Sequence, residues 1–144
     1  MKTEDIITLW EHDSIIDSTE LGIESLKIPQ LHNKYYKIFI QERKQYFGLE
    51  NELKRLNKVK HEYYLGVLSD EEMKANEWEP QPLKILRQDI PTYLEADEDL
   101  SRLKSRIRIQ EAKIEMLESI IKAIVNRGFL IKNSIEWAKF QQGL

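Results

Sequence analysis

Between Leu100 and Ile124 the apolar residues alternate strictly by three and four: Leu100, Leu103, Ile107, Gln110, Ile114, Leu117, Ile121 and Ile124, with Gln110 the single polar place. An α-helix with one buried face satisfies that spacing, whereas a half-buried strand alternates at every second residue. Ile109, Met116 and Ile120 add a second edge, so the apolar face is wider than a two-stranded seam requires. Asp97, Glu98 and Asp99 precede the run, where negative charge suits a helix N-terminus. Arg127-Gly128 reads as its end, a cation followed by a left-handed cap. A last short helix is then expected from Phe129 to Phe140, with Ile131, Ile135 and Ala138 or Phe140 on one side.

A second stripe runs from Leu31 to about Leu65, through Tyr35, Ile38/Phe39, Tyr46, Leu49, Leu53, Leu56 and Tyr63. From Tyr46 its steps are 3, 4, 3 and 7, with Lys60 in the missing place. At 1.5 Å per residue this helix is roughly 50 Å long. Pro29 sits where a helix start tolerates it, and Gly48 is the only interior glycine. Upstream, a short apolar run (Ile6, Ile7, Leu9, Trp10) precedes a segment that Asp17 or Ser18 would cap, with Glu20 and Glu24 near its positive end. Residues 66–96 differ, holding Pro80, Pro82 and Pro91, the acids Asp70, Glu71, Glu72, Glu77 and Glu79, and one apolar piece, Leu83-Lys84-Ile85-Leu86. They read as an irregular link with a short strand or helical turn.

The expected fold is all-α: a long antiparallel helical hairpin with short terminal helices. A length of 144 residues favours one domain, made of an N-terminal helical part (1–65), the acidic link (66–96) and a C-terminal helical part (97–144). Because such a hairpin buries little surface, self-association is expected. The stripe Leu100, Leu103, Ile107, Ile114, Leu117, Ile121 and Ile124 then has two readings, intramolecular core or assembly seam.

Composition removes several classes of function. There is no Cys, hence no disulfide framework, thiolate metal site or cysteine nucleophile. His12, His32 and His61 lie 20 and 29 residues apart, without the close spacing of a helical metal site. No Gly-rich phosphate loop and no distinguished carboxylate pair is found, so no catalytic residue, metal or cofactor is expected. No apolar run approaches the roughly 20 residues of a membrane span. The first 14 residues carry acids where a signal peptide carries a basic region, so none is expected.

Two basic clusters stand out from a net charge of −3. Lys54, Arg55, Lys58 and Lys60, with His61, lead directly into Tyr63-Tyr64; Arg102, Lys104, Arg106 and Arg108 open the second long helix. In an antiparallel hairpin these clusters meet. Cations beside aromatics supply what single-stranded nucleic acid requires, phosphate neutralisation and platforms for stacked bases. Tyr63 continues the apolar stripe, which makes Tyr64 the better stacking residue. The other reading is ordinary solvation of helix faces, with i,i+4 pairs such as Glu50–Lys54.

Three blocks carry a resemblance: Ile15-Ile16-Asp17-Ser18-Thr19-Glu20-Leu21, Lys58-Val59-Lys60-His61-Glu62-Tyr63-Tyr64 and Arg127-Gly128-Phe129-Leu130-Ile131-Lys132. Their order and separation resemble the UvsY family, the recombination mediators of T4-like bacteriophages, over essentially the whole chain. In the middle block Lys58 and the tyrosine pair match the family's pattern, and Lys60 stands where its type member has arginine. Lysine keeps the charge but loses the planar fork that grips phosphate at two points. The resemblance implies a non-catalytic protein without a cofactor or ATP site. It would bind single-stranded DNA as a ring-like homo-oligomer, a hexamer or heptamer, assembled through its C-terminal helical part. It would help displace the phage single-strand binding protein and load the phage recombinase for recombination and repair, in the cytoplasm of the infected bacterial host. Lys54, Arg55, Lys58 and Lys60 would then contact phosphate, Arg102 to Arg108 would form a second track, and Tyr64 would stack on bases. A helical adaptor with no affinity for DNA is the rival reading.

Overall fold

The computed structural model describes residues 1–81 and 84–144. Pro82 of the link and Leu83 of its apolar piece therefore lie outside the described residues. Among the described residues six α-helices follow in order: α1 (Thr3–Asp13), α2 (Leu21–Leu26), α3 (Ile28–Leu65), α4 (Asp70–Ala75), α5 (Ile90–Ala96) and α6 (Glu98–Gln141), with a 3-10 turn at Arg87–Asp89. No strand occurs among the described residues. The expected all-α class holds, and the link contributes two short helices and a 3-10 turn.

Helix α3 matches the expected segment closely. Pro29 occupies its first turn, and Gly66 ends it at φ 76°, a left-handed conformation that glycine adopts without a Cβ clash. The N–H groups of Gly66 and Val67 donate to the Tyr63 and Glu62 carbonyls, closing the helix with paired reverse bonds. Helix α6, by contrast, does not stop at Arg127-Gly128. It continues without a break to Gln141, so the separate helix from Phe129 to Phe140 is part of α6. Arg127 is buried instead of capping a terminus, and Gly128 keeps helical backbone. Nor does Asp17 cap α2: its Oδ1 accepts from the Thr19 N–H (2.9 Å) and hydroxyl (2.6 Å), forming a local turn, and α2 starts after Glu20.

The chain packs as two compact units, Met1–Lys44 with Glu111–Leu144, and Gln45–Gln110. Within the first, α3 and α6 run antiparallel. Ile6, Tyr35, Leu117, Ile120 and Ile124 form its core, backed by Leu9, Trp10, Leu31, Ile38 and Ile121. The Trp10 and Tyr35 rings meet edge to face at 5.4 Å, and the Tyr35 hydroxyl donates to Asp13 at 2.9 Å. The buried Arg127 guanidinium donates to the Asp13 and Ile15 carbonyls, both at 3.0 Å, and to the Glu24 carboxylate at 3.1 Å. It thereby satisfies carbonyls left open at the end of α1.

In the second unit Leu100, Leu103 and Ile107 of α6 are buried with Leu68 and Ile90, while Leu49, Leu53 and Leu56 of α3 are half-buried. The acids Asp70, Glu71 and Glu72 form the first turn of α4, where the Ser69 hydroxyl accepts from the Glu72 N–H at 3.2 Å.

The stripe read as an assembly seam is consumed inside the chain. Leu100, Leu103, Ile107, Leu117 and Ile124 are buried and Ile114 and Ile121 half-buried, because each unit covers its share with its own helices. Ile109 of the second edge is exposed, and the larger exposed apolar surface of α6 lies further along. Val125, Phe129, Leu130, Trp137 and Phe140 are all exposed, and at about 100° per residue they occupy one arc of roughly 140°. Every residue from Lys132 to Leu144 is exposed.

Candidate nucleic-acid interface

The buried line of α3 in the second unit passes through Leu49, Leu53, Leu56 and Lys60. At about 100° per residue, Lys54, Arg55 and Lys58 fall on the opposite side of the helix. All three are exposed and have no ion-pair partner among the described residues. Three unneutralised cations within five positions form a compact positive face. On α6, Arg102, Lys104, Arg106 and Arg108 are also exposed. Their spacing of two residues divides them: Arg102 and Arg106 flank one side of the buried line through Leu103 and Ile107, and Lys104 and Arg108 flank the other. Arg102 pairs with Glu98 at 3.4 Å on the open surface, a contact worth little in water. The cations of α3 point away from its buried line and those of α6 flank theirs, with Arg106 sharing a groove with Gln45, Gly48, Leu49 and Glu52 of α3.

Lys60 differs from its neighbours in the cluster. It is only 4% exposed, with its Nζ 3.0 Å from Asp97 and 2.8 Å from Asp99. The ammonium also lies 3.9 Å from the centroid of the Trp78 ring and 5.5 Å from that of Tyr63. Bound by two carboxylates and a ring face, it is not an accessible phosphate contact. Tyr64 is half-buried and engaged within the same unit. Its hydroxyl donates to Asp97 at 2.6 Å, and its ring is packed against Tyr63 at 5.2 Å and Tyr93 at 5.7 Å.

Asp97 is the hub of this arrangement. Its Oδ1 accepts from the Leu100 N–H at 3.0 Å, and its Oδ2 accepts from Tyr64 and Lys60. Burial pushes its pKa up, but the Tyr64 hydroxyl, the Leu100 N–H and Lys60 outweigh that and hold the carboxyl below its ordinary range. Burial and the adjacent Asp97 carboxylate push the Tyr64 hydroxyl well above its usual value. Trp78 reaches Lys60 because Glu77, at φ 59°, turns the chain back after α4, and the Trp78 N–H donates to the Met73 carbonyl at 2.8 Å.

Sequence reasoning missed Trp78, Tyr93 and the pairing of Lys60 with Asp97 and Asp99. A signal was present: Lys60 occupies the missing apolar place of the α3 stripe, which turns it inward. No group of three or more potential metal-ligating side chains occurs among the described residues, nor a helix long and apolar enough to cross a membrane.

Among the described residues the chain is helical without strands, and it carries exposed cations on α3 and α6, a surface of the kind that attracts polyanions. Residues 9–144 match the family of the recombination, repair and ssDNA binding protein UvsY. The chain belongs to the UvsY family. It is 25% identical over 143 residues to the recombination protein uvsY of Enterobacteria phage T4, covering 99% of both chains. Crystal structures of the bacteriophage T4 recombination mediator protein UvsY share its fold. One superposes with a TM-score of 0.83 at 24% identity, covering 97% of this chain and 99% of that one. Another gives 0.83 at 23% identity, covering 99% and 98%.

Proposed function

We propose that this protein is a recombination mediator that binds single-stranded DNA through the Lys54, Arg55 and Lys58 face of α3. The observation that carries the reading is that three-cation face, unneutralised in a member of a family of ssDNA-binding recombination proteins. Arg106 on one flank of α6, and Lys104 and Arg108 on the other, supply further phosphate contacts, with Arg102 the weakest because Glu98 opposes it. Lys60 and Tyr64 are not among the contacts.

Assembly runs through the exposed arc of α6 formed by Val125, Phe129, Leu130, Trp137 and Phe140, where the Trp137 and Phe140 rings stack at 5.6 Å. A ring of copies turns modest cation faces into one multivalent grip on a strand. Holding the strand in this way loosens the single-strand binding protein and presents the DNA to the recombinase, with no chemical step of its own.

The test is the triple variant Lys54→Gln/Arg55→Gln/Lys58→Gln against a labelled oligo(dT). Its binding falls by at least tenfold at low salt, the order expected when several phosphate contacts are lost, while its far-UV spectrum is unchanged. Undiminished binding refutes the face. For the assembly surface, Trp137→Ser/Phe140→Ser lowers the sedimenting mass without unfolding either unit; an unchanged mass excludes the arc. The adaptor reading rests on the same arc, and predicts no oligonucleotide binding by the unaltered protein.

A further inference from the structure

We propose that Lys60 is a positioning residue for DNA binding: held between Asp97 and Asp99 and over the Trp78 ring, it pins the last turns of α3 to the first turn of α6 without itself meeting phosphate. The inference rests on the single-stranded-DNA reading above and specifies how the binding surface is kept in shape.

The geometry leaves Lys60 little else to do. Reaching a phosphate means giving up two ion pairs, at 3.0 and 2.8 Å, and a ring face at 3.9 Å, from a site where the side chain is 5% exposed. The carboxylate it holds is structurally committed. Asp97 accepts from the Leu100 N–H and its carbonyl accepts from Ser101, so it starts α6; its Oδ2 also takes the Tyr64 hydroxyl from the neighbouring turn of α3. Through one ammonium, the turn two residues beyond Lys58 is tied to the turn five residues before Arg102. Trp78, delivered by the left-handed Glu77, closes the third side. Removing the ammonium leaves Asp97 and Asp99 facing each other uncompensated, and the two helix ends separate part of the time. DNA then binds only the fraction still ordered, so the dissociation constant rises by the reciprocal of that fraction while the number of phosphate contacts is unchanged.

Contact and positioning roles predict different responses in the full chain, read by anisotropy of a labelled oligo(dT) across a salt series. Lys58→Ala calibrates a true contact: the slope of log affinity against log salt falls by about 0.7. Lys60→Met weakens binding by about tenfold at every salt, giving a line parallel to that of the unaltered protein. Asp97→Asn, which keeps an acceptor for the Leu100 N–H, also weakens binding although it removes a negative charge. Lys60→Met/Asp97→Asn, which leaves only the half-exposed Asp99 unpaired, recovers part of the affinity lost in Lys60→Met. A slope reduced by about 0.7 in Lys60→Met overturns the inference. So does tighter binding by Asp97→Asn, as expected if a contact lysine is set free, or a double variant as weak as Lys60→Met. Should Lys60→Met not fold, the sign of the Asp97→Asn effect and the recovery in the double variant still decide. Absence of oligonucleotide binding by the unaltered protein overturns the DNA reading and this inference with it; a changed slope in Lys60→Met overturns this inference alone.

Discussion

Replacing Arg127 with methionine removes a buried cation that ties the end of α1, the following turn and α2 to α6. Its guanidinium makes two short bonds to carbonyls, of Asp13 and Ile15 at 3.0 Å, a longer one to Ser14 at 3.5 Å, and an ion pair with Glu24 at 3.1 Å. Methionine preserves much of the aliphatic stem, so the loss is of polar contacts and not of packing. Taking one partner from a buried pair costs about 3–5 kcal/mol, because the other is left charged and poorly solvated. Glu24 keeps Lys27 at 3.3 Å, an exposed lysine that softens the penalty, which points to the lower end, about 3 kcal/mol. At roughly 2–4 °C per kcal/mol for a chain of this size, thermal unfolding followed at 222 nm shifts down by about 10 °C. Adding Glu24→Leu to the same chain recovers part of the loss, since no carboxylate is then stranded. A shift within about 2 °C for the single variant, as for an exposed pair, refutes the assignment of Arg127 as the tie.

Other expected outcomes are checked in the same way. Gly48→Ala stabilises by about 0.5–1 kcal/mol in urea unfolding, since Gly48 is exposed within α3 and an added Cβ meets nothing within 4 Å. A lower midpoint instead reveals a role for that glycine in binding or assembly. The carboxyls of Asp13, Glu24 and Asp97 are all depressed from ordinary values of 3.8, 4.5 and 3.8. Protonation therefore favours the unfolded chain: their contribution is complete above about pH 5 and is lost as pH falls through the folded values. Urea midpoints measured from pH 7 to pH 3 decline only in that lower range, and a decline beginning near pH 6 contradicts the assignment.

The helices were legible in the sequence because an amphipathic period is local. The α3 and α6 stripes and the Pro29 start all come from spacings within a few residues. What covers a stripe is not local. The alternation from Leu100 to Ile124 fits a core or a seam equally well, and the choice depended on whether the chain held enough apolar surface elsewhere to bury it. The Arg127-Gly128 pair has the chemistry of a helix end, yet α6 continues, because Arg127 satisfies carbonyls more than a hundred residues away in the chain. The same limit explains the site. Lys54, Arg55 and Lys58 are exposed, as the phase of their own helix relative to the apolar stripe dictates. Lys60 belongs to the same cationic cluster by composition, while its partners Asp97 and Asp99 arrive from the far end of the link.

The quantity closest to the proposed function is the salt dependence of single-stranded-DNA binding by the unaltered protein, set beside the Lys54→Gln/Arg55→Gln/Lys58→Gln variant. Three phosphate contacts from this face add about 2 to the slope of log affinity against log salt, at roughly 0.7 each. Tight binding by the unaltered chain, with the slope reduced by about that amount in the variant, is the predicted result. Equal slopes for the two proteins, or no binding at low salt, contradict the assignment of this face to DNA.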